Sequence, residues 1–173
     1  VGLLRESEAA RASQSDLTPD QEAFYEGIRI TYTAIIAFLT RLKQRAEAEG
    51  NTRMAEALAN LGVAAPSTFY EALLTDYLYF MLCEHVEGLQ VRSLSNFDRL
   101  FYPFYQKDLE NGISEEALRH DLACFFLQFT AIGNYWNQPV YLGGCKEDES
   151  TQINELSYLF LELQSIRCMG FYD

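Results

Sequence analysis

Basic charge, histidine, paired cysteines and long apolar runs are all scarce in this chain, and each shortage closes off a class of function. Thirteen Lys and Arg face 25 Asp and Glu, for a net charge of −12. Such a surface repels phosphate backbones and anionic lipid, so nucleic acid and membrane surfaces are not expected as partners. The longest apolar runs, Thr33–Leu39 and Tyr77–Cys83, fall well short of the roughly 18 to 20 residues of a membrane-spanning helix. Of the two histidines, His85 follows Leu82 by three residues and His120 follows Ala117. Neither a Glu-x-x-His nor a His-x-x-x-His pair exists, and no metal site is expected. His85 is read as a residue near a helix C-terminus, where positive charge is favourable, and His120 as a surface residue. Cys83, Cys124, Cys145 and Cys168 form no C-x-x-C pair, and a core of this size needs no disulfide staples, which points to a reducing cytoplasm. No initiator methionine or basic-then-apolar leader opens the chain at Val1, so it is expected to be processed or excerpted from something longer.

What the chain does have is apolar and aromatic substance. Of 173 residues, 49% are hydrophobic and 14% aromatic, enough for a core in a chain the size of one domain. The expected fold class is mainly α with one or two short β-strands. A short helix is expected over Val1–Ser13. Thr18-Pro19-Asp20-Gln21 then places a hydroxyl at the N-cap, proline at N1 and Gln at N3, opening the longest helix, which runs to Gly50 as C′ residue. Its centre, Ala34 to Leu39, is apolar all round, as in a helix wedged between neighbours. An alanine-rich helix spans Asn51–Gly62, and Thr68 to Glu71 open another helix with a capping box. Alternation in Leu89 to Leu94 predicts a short strand, Ser114 caps a helix carrying Leu118, Leu122, Phe125 and Phe126, and Val140–Leu142 reads as a second strand. Gly143-Gly144 is a bend, and a last helix carries Ile153, Leu156, Leu159, Phe160 and Leu163.

The chain is organised around Asn96 to Gly112. Phe97, Phe101 and Tyr105 keep a helical spacing, while Tyr102 and Phe104 flank Pro103 on the other side, so both faces need an apolar cover. Cys83 and Cys124 are expected to be buried among Phe80, Met81, Phe125 and Phe126, and Cys145 to be accessible.

Four stretches, in order, resemble the pyruvate formate-lyase domain of the glycyl radical enzymes. They are Pro66 to Leu73 (P-x-TFYEAL), Asn96 to Gly112 (NFDRLFYPFY-x-x-DL-x-x-G), Leu142-Gly143-Gly144, and Asn154 to Leu159 (NELSYL). The resemblance covers Val1 to about Glu162, is strongest over 66–162, and leaves the tail 163–173 divergent within a single partial domain. It implies a large barrel of two parallel half-sheets wrapped in helices, of which this chain is an interior piece with outer helices and the first barrel strands. It also implies a protein glycyl radical, installed by an iron-sulfur, S-adenosylmethionine-dependent activating enzyme, with no cofactor bound by this chain. The implied partner is the remainder of the barrel or a full-length homologue, with a homodimer in the parent.

The radical-bearing glycine loop and the catalytic cysteine loop of that family have no match here, so activity is not expected of the chain alone. Ser95-Asn96 stand where the family often has Gly-Arg, and Glu149 replaces a usual glycine. Gly144-Cys145-Lys146-Glu147 looks like the family's Gly-Cys-x-Glu loop, but it precedes the Asn154 helix, out of place in the family's order, so no catalytic residue is assigned. By the same resemblance, the substrate-pocket candidates are Gln90, Val91, Arg92, Trp136, Asn137, Gly143, Gly144 and Cys145. Each has a plainer reading: Gln90 on the solvent face of a strand, Arg92 paired with an acid, Trp136 in the core. The other function class left open is a standalone helical interaction protein, from a truncated gene, that docks onto a full-length relative.

Overall fold

The computed structural model describes residues 2–88, 93–131 and 139–169. The chain divides into two compact units, Val1–Pro66 and Ser67–Asp173. The first is three helices: α1 (Gly2–Ala12), α2 (Pro19–Ala48) and α3 (Thr52–Leu61). The capping box at α2 is complete, with the Gln21 amide donating to Thr18 Oγ1 and Gln21 Oε1 accepting from the Thr18 amide. Gly50 (φ 74) reverses the chain, and the Asn51 and Gly50 amides donate back to the Ala46 and Glu47 carbonyls, closing a Schellman motif. Asn51 then caps α3 by accepting from the Met54 amide at 3.1 Å. Only Ala46 of α2 is buried. Ile35, Ile36, Phe38 and Leu39 are half-buried, while Phe24 (64%) and Ile30 (55%) are exposed. The wedged helix expected from its all-round apolar centre is thus open on part of its surface.

The second unit holds α4 (Phe69–Leu82), β1 (Ser95–Asn96), α5 (Phe97–Glu110), α6 (Glu115–Ala131), β2 (Val140–Tyr141) and α7 (Glu155–Met169). Helix α4 runs into one π-helical turn, Cys83–Glu87, which Gly88 ends in the left-handed region. The exposed His85 lies in that turn. The two strands are parallel, with Ser95 opposite Val140 and Asn96 opposite Tyr141. Pairing begins just before them, where the Leu94 amide donates to the Pro139 carbonyl at 2.9 Å. Of the expected strand over Leu89–Leu94, the described end reaches the pairing through Leu94, and the paired strand residues Ser95 and Asn96 lie beyond its expected bound, because hydrogen bonding is set by where the partner chain lies and not by local alternation. Residues 89–92 of that expectation lie outside the described residues.

Phe97 is the centre of the core. It is 0% exposed, stacks on Phe101 with ring centroids 4.4 Å apart, and meets Phe125, Phe126 and Phe160 of α6 and α7. Leu118, Leu122 and Leu156 are likewise fully covered. Helix α5 continues through Pro103, which is exposed. A proline inside a helix removes one hydrogen bond and costs about 3 kcal/mol. The burial of Phe97, Phe101 and Tyr105 on one face and the packing of Tyr102 and Phe104 against the same core offset it, since each large buried side chain contributes about 1.5–3 kcal/mol.

Candidate functional site

The four stretches singled out in the sequence meet through two aspartates of α5. Asp98, in the first turn, is 0% exposed. Its Oδ2 accepts the Gly143 amide at 2.6 Å and the Ser157 hydroxyl at 2.5 Å, and its backbone carbonyl accepts Asn154 Nδ2 at 3.2 Å. Asn154 and Ser157 in turn cap α7 reciprocally: Ser157 Oγ accepts the Asn154 amide and Asn154 Oδ1 accepts the Ser157 amide. Asp108, in the last turn, is 5% exposed and its Oδ2 accepts the Phe69 amide at 2.8 Å, at the first position of α4. Beside it, Lys107 Nζ donates to the Ser67 carbonyl. Glu71 corrects the expected capping box. Thr68 caps the Glu71 amide, but the Glu71 carboxylate accepts from the Ser67 amide and hydroxyl, one residue earlier than that motif requires.

Gly143 fits where no other residue would. Its φ of 67° is left-handed, and a Cβ there would meet Ile153 Cγ1 at 2.7 Å. It is buried, and its only donor points at Asp98, so it presents no amide to a ligand. Gly144 and Cys145 are exposed. They open a tight turn in which Gln152 N donates to Gly144 O and Lys146 N to Ser150 O, with Cys145 bridged to Thr151. Two residues without glycine's freedom sit at positive φ, Ser95 (54°) and Glu149 (64°). The resemblance implies glycine at both positions, and the left-handed φ values found here are ones that glycine adopts without strain.

Gln90, Val91, Arg92, Trp136 and Asn137 lie outside the described residues. In chain order, 90–92 lead into β1 and 136–137 into β2, and the Leu94 and Ser93 bonds to the Pro139 carbonyl bring the starts of the two strands side by side. Gly143 to Cys145 follow the opposite end of β2. A separate groove of about 670 Å³ lies between α5 and the start of α7, lined by Arg99, Tyr102, Lys146, Gln152, Glu155 and Tyr158 among others. Arg99 bonds Gln152 and the Tyr102 hydroxyl bonds Glu155 across it. That bond pushes Tyr102 up to about 12 and lowers Glu155. Of the candidates among the described residues, Gly143, Gly144 and Cys145 do not line this groove.

Cys83 is buried as expected and Cys145 exposed, but Cys124 is exposed, against expectation. The buried stripe of α6 runs through Leu118, Leu122, Phe125 and Phe126, and position 124 stands about 145° round the helix from its middle. Sequence neighbours of a buried residue do not share its face. His120 is exposed, as read, and its Nε2 lies 3.5 Å from Cys124 Sγ, a pairing that the i, i+4 spacing could have revealed. No group of three or more metal-ligating side chains occurs among the described residues.

Comparisons with known proteins place these features. A family model described as pyruvate formate lyase-like matches residues 1–166. The glycyl radical subunit of 4-hydroxyphenylacetate decarboxylase from Clostridioides difficile (strain 630) is 32% identical over 130 residues, covering 66% of this chain and 14% of that protein. Isethionate sulfite-lyase from Bilophila wadsworthia (strain 3_1_6) is 28% identical over 193 residues, 93% of this chain and 23% of that protein. A crystal structure of a glycyl radical enzyme from Archaeoglobus fulgidus superposes with a TM-score of 0.81 at 27% identity, over 92% of this chain and 24% of that one. The B12-independent glycerol dehydratase from Clostridium butyricum shares the fold, with a TM-score of 0.79 at 20% identity, over 95% of this chain and 24% of its own. The chain spans between 14% and 24% of the length of these relatives.

Proposed function

This chain belongs to the pyruvate formate lyase-like family, and from that premise we propose that it is the scaffold-and-pocket segment of a glycyl radical lyase, dehydratase or formate acetyltransferase, inactive by itself. The observation that carries this reading is the buried Asp98 junction, which ties α5, the Gly143 bend and the α7 cap into one rigid unit. Three of the four resembled stretches converge there, and Asp108 joins the fourth. Their residues hold the fold's parts together and leave no described side chain arranged as a nucleophile with a base at a pocket between these stretches.

In this reading the outer helices and the β1–β2 pair form part of the parent barrel. The substrate pocket borders the starts of those strands, with Gln90, Val91, Arg92, Trp136 and Asn137 as lining candidates. Gly143, Gly144 and Cys145 serve a second edge, Gly143 by shaping the backbone because its amide is already bonded. The glycyl radical resides elsewhere in the parent and is installed by an iron-sulfur, S-adenosylmethionine-dependent activating enzyme in the cytoplasm. The remainder of the barrel is the partner, and the parent is a homodimer. Cys145 is not the hydrogen-abstracting thiyl in this reading, since it is exposed beside a surface turn and no general base among the described residues is held against it.

The test is a chimera in which this chain replaces the matching segment of the isethionate sulfite-lyase, alongside the chain alone. After anaerobic activation, the chimera is expected to fold and give a glycyl radical doublet by electron paramagnetic resonance, and the chain alone to give none. A doublet with product formation from the chain alone would overturn the proposal, as would a chimera that cannot fold.

A further inference from the structure

We propose that His120 and Cys124 form a thiol-modification site on the outer face of α6, one that exchanges with small neutral or cationic disulfides to give a reversible mixed disulfide. Three observations carry this independently of the function proposed above. Both side chains are exposed on the face of α6 that points away from the core. The His120 Nε2 lies 3.5 Å from Cys124 Sγ, in reach to take the thiol proton. Cys145, the other exposed cysteine among the described residues, stands in the same molecule without such a hydrogen bond, and Cys83 is buried.

The step is an exchange. His120 Nε2 accepts the Cys124 proton, and the thiolate attacks one sulfur of RS–SR. The S–S bond of the reagent breaks as the Cys124–S–S–R bond forms. The departing thiolate takes back the proton from the His120 imidazolium, so the cysteine is oxidised and half of the reagent reduced. Charge selects the reagent. Glu116 stands one turn before His120 on the same helix, Arg119 is tied to Glu162 of α7, and the chain carries −12 overall. A cationic disulfide is therefore drawn to the site and an anionic one repelled.

The experiment is timed labelling of the native chain with cystamine and with the anionic dinitrobenzoate disulfide, read peptide by peptide by mass spectrometry. With cystamine, Cys124 is expected to react about tenfold or more faster than Cys145. His120→Gln should bring Cys124 down to the Cys145 rate while leaving Cys145 unchanged, and this exposed substitution leaves the fold intact. The anionic disulfide should be slower at Cys124 than cystamine. Equal rates at Cys124 and Cys145, or a Cys124 rate indifferent to His120→Gln, would overturn the proposal. Repeating the labelling on any longer protein containing the chain asks whether the face is covered there. Protection of Cys124 in that protein would overturn the proposal as well.

Discussion

Replacing Asp98 is the sharpest perturbation that the structure offers. Asp98→Ala removes the only described acceptor of the buried Gly143 amide and the nearer of two acceptors of the Ser157 hydroxyl, which is 2% exposed and keeps Asn154 Oδ1 at 3.4 Å. A donor left buried without a partner costs about 1–3 kcal/mol and the weakened Ser157 bond about 1 kcal/mol more, so the substitution should cost about 3 kcal/mol, a large fraction of an ordinary domain's stability. Asp98→Asn is milder. An amide oxygen can stand where Oδ2 stands and keep both bonds, losing the charge assistance and the favourable charge at the start of α5, about 1–2 kcal/mol together. Its NH2 then occupies the place of Oδ1, which has no partner among the described residues. Ser157→Ala breaks the same junction from the α7 side, and the double substitution with Asp98→Ala should fall short of additivity by 1 kcal/mol or more, on the order typical of groups in one network. Urea unfolding gives the ranking, and hydrogen exchange at the Gly143 amide localises it to this junction. A Gly143 amide still protected in Asp98→Ala, or costs that add in the double variant, would refute the keystone role.

Ser95→Gly and Glu149→Gly should each stabilise the chain by up to about 1 kcal/mol. Relief of roughly 1–2 kcal/mol of left-handed strain is partly offset by the greater freedom of glycine in the unfolded chain, and a lowered urea midpoint would contradict this. Burial pushes the Asp76 carboxyl up to about 6 from 3.8. Between those values the folded chain holds a proton that the unfolded chain has lost, so stability is highest in acid and falls as pH rises through 6, by at most about 3 kcal/mol. Asp76→Asn should therefore exceed the parent in stability at pH 7 and match it near pH 4, and a gap that does not change with pH would count against the assignment. The chain alone should bind a hydrophobic dye through α2, where Phe24 and Ile30 are exposed; no dye binding by a monodisperse monomer would show that face to be self-sufficient.

Local chemistry was legible in the residues. The Thr18–Gln21 box, the Gly50 reversal and the Ser114 cap each depend on neighbours within five positions, and each forms as read. So does the phase of α5, because Phe97, Phe101 and Tyr105 declare one face by their spacing. The contents of the site were not legible in the same way. Asp98 reaches partners 45 and 59 residues away and Asp108 one at 39, and no periodicity reports a bond across such distances. Parallel pairing of two-residue strands is equally non-local, which is why the expected strand end at Leu94 stops short of the paired residues Ser95 and Asn96. The exposure of Cys124 is a different failure. Its helical phase sets it apart from the buried stripe, and its aromatic neighbours in sequence are not its neighbours in space.

The placement of Asp108 shows that α5 is built for its connections rather than for its own helicity. A carboxylate in the last turn faces the negative end of the helix dipole, an arrangement that costs up to about 1 kcal/mol. Helix α5 nevertheless carries Asp108 there, only 5% exposed, where water can do little to ease the charge. The carboxylate instead bonds the first amide of α4 at 2.8 Å, meeting the positive end of another helix, so the unfavourable dipole at one terminus is answered by a favourable one. Asp98 does the corresponding work ten positions earlier, about 15 Å along the axis. A helix with an anchor at each end fixes the distance between the start of α4 and the Gly143 bend that follows β2. Pro103 between the anchors limits how well the helix could form unaided, and the aromatic face supplies what the backbone lacks. The stretch from Asn96 to Gly112 is thus a spacer whose length matters as much as its residues. One residue more or fewer between Asp98 and Asp108 would turn one aspartate about 100° away from its partner.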